Sequence, residues 1–212
     1  MTASRLHEIV DLAAQRWPDS PALTLDGNTM SYVDLAVAVR RAATWLTAQG
    51  VGRGQRVAIL GPNQVNIVVL SYACSRVGAI FILLHEQVRG TGLVHILTDA
   101  EPALLVTDSP EARDIAVTHG TPVASLARVP LDQATPPAAG NGPPADLPLS
   151  VDPACLIYTS GSTGMPKAVV STHAQMLFAA RAIQSQLNYR ADDVVYAPLP
   201  LSFDSGRGRS RR

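Results

Sequence analysis

Residues 56–108 read RVAILGPNQVNIVVLSYACSRVGAIFILLHEQVRGTGLVHILTDAEPALLVTD. Three short apolar runs stand out: RVAIL at 56–60, AIFILL at 79–84 and ALLVTD at 103–108. Each is continuously hydrophobic rather than alternating, the pattern of a strand buried on both faces. Between them lie helix candidates at 64–76 and 88–98, and a weaker one follows at 110–117. Strands alternating with helices at this pitch predict an α/β fold with an open, mostly parallel sheet flanked by helices. The right-handed crossover rule would set the hand of each unit.

Upstream, Leu6, Ile9, Val10 and Ala13 share one side of a short amphipathic helix over 6–16, with Ser4 as its cap and Pro18 beyond its end. Residues 22–25 and 29–32 flank Asp26-Gly27-Asn28, a hairpin signal. A longer helix is expected over 33–49, stopped at Gly50. Downstream, residues 130–153 hold seven prolines and two glycines without apolar periodicity. They read as a connector. The expected organisation is an α/β subdomain at 1–129, the Pro-rich connector at 130–153, the start of a second subdomain at 154–204, and a basic tail at 205–212.

Composition narrows the function classes. Of 212 residues, 47 % are hydrophobic and 16 % charged, enough apolar content for a real core. Acidic and basic residues balance at 17 each, so no global field attracts nucleic acid or an anionic membrane, and neither is an expected partner. Only the tail, with Arg207, Arg209, Arg211 and Arg212, is locally basic. Cys74 and Cys155 sit in apolar runs and read as reduced, buried residues. No stretch approaches the length of a membrane span, and the first residues lack a secretory apolar core, so a cytoplasmic protein is expected. His7, His85, His95 and His119 are scattered without ligand spacing, and no metal-binding residues are expected.

The chemistry concentrates in ACLIYTSGSTGMPKAVVSTH, residues 154–173. Strand candidates at 155–159 and 168–171 bracket Thr159, Ser160, Gly161, Ser162, Thr163 and Gly164. Lys167 follows three residues later. Glycines let a turn approach an anion closely, and successive backbone N–H groups then converge on it. Hydroxyls add neutral donors and Lys167 a mobile cation, while Pro166 stiffens its approach. The combination points to phosphate. It is not a Walker A loop, since Pro and Ala flank Lys167, nor a dinucleotide fingerprint, since a strand follows rather than a helix. No serine sits in a G-x-S-x-G turn, which removes the hydrolase reading. On composition alone a plain loop stays open.

YTSGSTGMPKAVVSTH resembles the phosphate-binding core of the adenylate-forming, AMP-binding superfamily, usually close to (S/T)SG(S/T)TGxPKGV with a following His. That superfamily includes acyl-CoA ligases and the adenylation domains of nonribosomal peptide synthetases. MSYVDLAVAVRRAATWLTAQGVGRGQRVAIL, SRVGAIFILL and VHILTDAEPALLVTD resemble its opening elements, and LPLSFDSG its next motif. The resemblance implies that residues 159–164 wrap the β- and γ-phosphates of ATP, with Mg²⁺ assisting, and that Lys167 offsets charge as pyrophosphate leaves. It implies that Phe203 lies near the acid pocket and that Asp204 contacts an amino-acid amine. It implies a carboxylic or amino acid substrate and, in a complete enzyme, coenzyme A or a carrier-protein phosphopantetheine as acceptor.

Departures accompany the match. Ala168 stands where the family usually has Gly, and LLHEQVRGTG replaces a Pro- and Asp-rich turn. The family's adenosine-binding motifs and C-terminal lysine domain have no counterpart in these residues. SGRGRSRR reads as a foreign or frame-shifted end, or as a short basic tail. The expectation is therefore an N-terminal fragment of an acid-activating ligase, inactive alone. The alternatives are a non-catalytic polyphosphate- or partner-binding fragment and one half of a split ligase. His173 is expected near the phosphate or acyl side, or else as a structural residue at a helix start.

Overall fold

In the computed structural model, the described residues are 3–131, 148–160, 166–197 and 199–202. The chain opens with α1 (Leu6–Arg16), then the hairpin β1 (Pro21–Leu25) and β2 (Asn28–Ser31), then α2 (Tyr32–Ala48). The βα series follows: β3 (Arg56–Leu60), α3 (Val65–Val77), β4 (Ile80–Leu84), α4 (Gly90–Ala100), β5 (Leu104–Thr107), α5 (Pro110–His119) and the two-residue β6 (Val123–Ala124). A 3-10 turn at Leu126–Arg128 precedes the proline-rich stretch. Beyond it come β7 (Pro153–Ser160), β8 (Pro166–Thr172) and α6 (His173–Leu187).

Local chemistry explains the element ends. Leu25 pairs with Asn28 across a two-residue loop in which Asp26 and Gly27 both have positive φ, the geometry that Asp-Gly favours in a hairpin. Ser31 caps α2, its Oγ accepting from the Asp34 amide at 3.2 Å. Thr172 and Gln175 exchange side-chain and backbone bonds at the start of α6, a capping box. At α1 the N-cap is Arg5 rather than Ser4. The Glu8 carboxylate accepts from the backbone amides of both Ser4 and Arg5, so the anion reaches back where a serine hydroxyl was expected to reach forward.

The main sheet has six strands in the order β6-β5-β3-β4-β7-β8. All neighbours are parallel except the last pair, β7 and β8. The sheet is covered on both sides. Val57, Ile59, Phe81, Leu104 and Val106 join α1, α2 and α3 in one core. Ala58, Leu60, Ile82, Leu84 and Leu105 join α4 and α5 in the other. Adjacent residues of one strand thus feed opposite cores, which is why the strand sequences are apolar without alternation. Both cysteines are free and buried. Burial pushes the Cys74 thiol up, and that of Cys155 up to about 11. Among the described residues no helix is long and apolar enough to cross a membrane.

The end of the proline-rich stretch is held in place. Arg53 binds the Asp152 carboxylate at 2.8 Å, and the Asp152 carbonyl accepts the His173 amide. Most of that stretch lies outside the described residues. Coverage thins toward the C-terminus. In α6 only His173 and Leu177 are buried, while Phe178, Ile183 and Leu187 stand largely exposed.

Candidate functional site

Because β3, β4, β5 and β7 run parallel, their C-terminal ends share one edge of the sheet. Residues 61–64, His85, Asp108 and the end of β7 gather there. That edge is where open α/β sheets bind ligands. β7 and β8 form an antiparallel ladder in which Thr159 lies opposite Lys167 and Ser160 opposite Pro166. The ladder therefore draws together the two ends of the glycine-rich loop. Directly opposed residues project to the same face, so Thr159 and Lys167 share one side of the hairpin. On that side Ile157 and Val169 are 40 % and 50 % exposed, which leaves the surface beside the lysine open.

The remaining predicted loop residues, Gly161, Ser162, Thr163 and Gly164, lie outside the described residues, as does the side chain of Ser160. Phe203 and Asp204 do too. The segment leading to them is described: Asn63, just after β3, donates to the Leu199 carbonyl at 2.9 Å and accepts from the Leu201 amide at 2.7 Å. Its amide thus grips one backbone segment twice and holds residues 199–201 at the same sheet edge. β3 and β7 are separated by β4 alone, so the strands that lead to Asn63 and to the glycine-rich loop lie about 10 Å apart.

Three residues that sequence reasoning left without a role support this edge. His95 on α4 donates from Nε2 to the Pro166 carbonyl at 2.8 Å. Asp99, one turn further on, accepts from the Tyr158 hydroxyl at 2.6 Å. Burial and then the Asp99 carboxylate push the Tyr158 phenol above its ordinary value, so it stays a donor. Asn63 is the third. The one signal available was the i, i+4 spacing of His95 and Asp99.

His173 is placed elsewhere. It lies six residues beyond Lys167 along extended β8, about 20 Å away, fully buried at the α1–α6 junction. Its Nδ1 accepts the Leu6 amide at 3.4 Å, and burial lowers its pKa. Its Nε2 has no partner among the described residues. The expectation of a residue beside the phosphate gives way to the structural one, because a strand separates the helix start from the loop.

A half-buried Thr159 opposite a solvent-facing Lys167 offers a hydroxyl and a cation on one face, a pair that suits an anion. Among the described residues no group of three or more His, Cys, Asp or Glu side chains is placed to hold a metal ion, so none is assigned to Mg²⁺.

Residues 10–209 match the AMP-binding enzyme family. The chain belongs to that family. Feruloyl-CoA synthase from Amycolatopsis is 33 % identical over 196 residues, which cover 92 % of this chain and 39 % of that protein. The 2-succinylbenzoate–CoA ligase of Bacillus cereus is 33 % identical over 195 residues, covering 89 % and 37 %. Among solved structures, VinN superposes with a TM-score of 0.79 at 30 % identity over 94 % of this chain and 51 % of that one. The o-succinylbenzoate CoA synthetase of Bacillus subtilis, bound to its acyl-adenylate, gives 0.79 at 27 % over 91 % and 49 %. This family member spans about two fifths of the curated relatives' length and corresponds to their N-terminal portion.

Proposed function

We propose that this AMP-binding family member is the part of an ATP-dependent, carboxylic acid-activating ligase that grips the phosphates. The acyl-CoA ligase or amino acid adenylation type is meant. Residues 1–129 form its first subdomain and 154–204 begin the phosphate-loop subdomain. Thr159 to Gly164 cradle the β- and γ-phosphates of ATP, and Lys167 stabilises the charge that develops as pyrophosphate departs. Mg²⁺ carried by the nucleotide would supply positive charge to the phosphates that Lys167 faces, and no described residue is assigned to hold it. Phe203 and Asp204 border the acid pocket. Coenzyme A or a carrier-protein phosphopantetheine takes the acyl group in the complete enzyme. The observation that carries this reading is the ladder pairing Thr159 with Lys167, at the strand-end edge, across the stretch that matches the family. A polyphosphate-binding portion without chemistry of its own is the second reading, favoured by the two-fifths coverage.

Titration calorimetry with ATP and with inorganic pyrophosphate tests the phosphate grip, using a chain ended at Asp204 to remove the arginine tail. Both ligands should bind with similar affinity, on the order of millimolar, roughly −4 kcal/mol. Salt should weaken them strongly. K167A should weaken both alike. Binding that disappears with the tail and ignores Lys167 would overturn the assignment. Much tighter binding of ATP than of pyrophosphate would show that adenosine is recognised as well.

A further inference from the structure

His95 and Asp99 lie four residues apart on α4 and therefore on one face of the helix. From that face two hydrogen bonds run to the two strands of the β7–β8 hairpin, one to each. Tyr158 of β7 donates its hydroxyl to Asp99 at 2.6 Å. The carbonyl of Pro166, the first residue of β8, accepts from His95 Nε2 at 2.8 Å. A carbonyl can only accept, so Nε2 carries the proton. Proline has no N–H, which leaves this carbonyl as its one backbone hydrogen-bonding group. That carbonyl and the Lys167 N–H belong to a single planar peptide unit. Holding the oxygen sets the tilt of the plane from which the Lys167 side chain departs. Lys167 is moreover the only lysine in the sequence; every other basic residue apart from the histidines is arginine.

We propose that His95 is a positioning residue that fixes the Pro166–Lys167 peptide and so aims Lys167, with Asp99 and Tyr158 as the second anchor of the same hairpin. The role of Lys167 toward polyphosphate rests on the function proposed above. The anchoring of its backbone does not. Without His95 the described side-chain hydrogen bond from α4 to the hairpin is the one to Tyr158 of β7, and the start of β8, which is an edge strand, can tilt. The lysine then loses orientation rather than charge, so polyphosphate affinity falls while the fold persists.

The single lysine makes the test direct. In the full chain labelled with ¹⁵N-lysine, the backbone amide of Lys167 gives one resonance. H95M keeps apolar bulk and removes the donor; H95Q retains an N–H able to reach the carbonyl. The expected result is a displaced or broadened Lys167 resonance in H95M and a near-native one in H95Q. Pyrophosphate affinity should fall about fivefold in H95M, the loss of one hydrogen bond's net contribution, and recover in H95Q. A native Lys167 resonance in H95M would overturn the proposal. So would equal disturbance in H95M and H95Q, because the imidazole would then act by packing alone. If the unsubstituted chain binds no pyrophosphate, the phosphate reading fails and the resonance still decides the role of His95.

Discussion

His7 Nδ1 lies 2.9 Å from Ser75 Oγ, and both side chains are buried between α1 and α3. The same hydroxyl oxygen also accepts the His7 backbone amide at 3.1 Å. Burial, with Arg76 and Arg5 nearby, lowers the His7 pKa to about 4. The folded state therefore resists a proton that the unfolded chain takes up near pH 6.5. Between about pH 6.5 and pH 4 the unfolded state binds more protons, so stability falls as pH falls through that window. The full shift corresponds to about 3 kcal/mol. Urea unfolding at pH 7.5 and pH 4.5 should show a loss of that order, and H7Q should flatten it. An unchanged pH slope in H7Q would refute the assignment to His7.

Glu8 acts in the same direction, in a lower and more acidic window. Burial would raise its pKa, but hydrogen bonds from Arg5 and Ser4 hold it down to about 2. Its contribution is present above pH 4.5 and is lost as pH falls toward 2. E8Q should destabilise the chain at pH 7 and matter little near pH 2, as read by thermal unfolding.

Leu70 on α3 is fully buried in the core that α1, α2 and α3 share with the sheet. Leu70→Ala should cost about 2–5 kcal/mol, with the spread set by how far the site collapses. Leu187→Ala on α6, where the side chain is 58 % exposed, should change stability by less than about 0.5 kcal/mol. A denaturant midpoint series on the two variants makes the comparison.

Protection should be uneven along the chain. β3, β4 and β5 are flanked on both sides and packed under helices, whereas α6 buries only His173 and Leu177. Amide hydrogen exchange is expected to be slowest in the central strands and fast from the middle of α6 onward. The exposed Phe178, Val194 and Tyr196 should favour self-association with rising concentration. Uniformly slow exchange with a monomeric sedimentation profile would contradict this.

Chemistry is expected to need more than this chain supplies, given that it spans 39 % of the feruloyl-CoA synthase it resembles. Exchange of labelled pyrophosphate into ATP should stay at background across a panel of amino, aryl and fatty acids. Acid-dependent exchange above a K167A control would show that these residues suffice.

Much of the fold was legible in particular segments. RVAIL forms β3 over the same five residues, and LHEIVDLAAQR forms α1 at its expected limits. The helix expected at 88–98 runs instead over Gly90–Ala100. A turn intervenes, in which the Val88 amide bonds the His85 carbonyl and the Gln87 amide bonds the His85 ring. β6 escaped notice because two residues carry no period. The loop at 159–164 and Lys167 were legible as chemistry, because glycines, hydroxyls and a cation stand next to one another in the chain. Asn63 was not, since a lone Asn after a strand has many uses until residues 199–201 are beside it.

By itself the sequence determined most of the strand and helix segments, that the central strands are buried on both faces, and that glycines, hydroxyls and one lysine cluster between β7 and β8. These properties depend on near neighbours in the chain, through periodicity, caps and turn residues. Only the tertiary structure decided that β7 docks on β4, that the His95 imidazole reaches a carbonyl 71 residues away, and that His173 is buried about 20 Å from Lys167. Such contacts arise when α4 closes over one side of the sheet and α1 over the other. A hydrogen bond between distant residues depends on which faces the hydrophobic cores bring together, and the local pattern of neither residue carries that information.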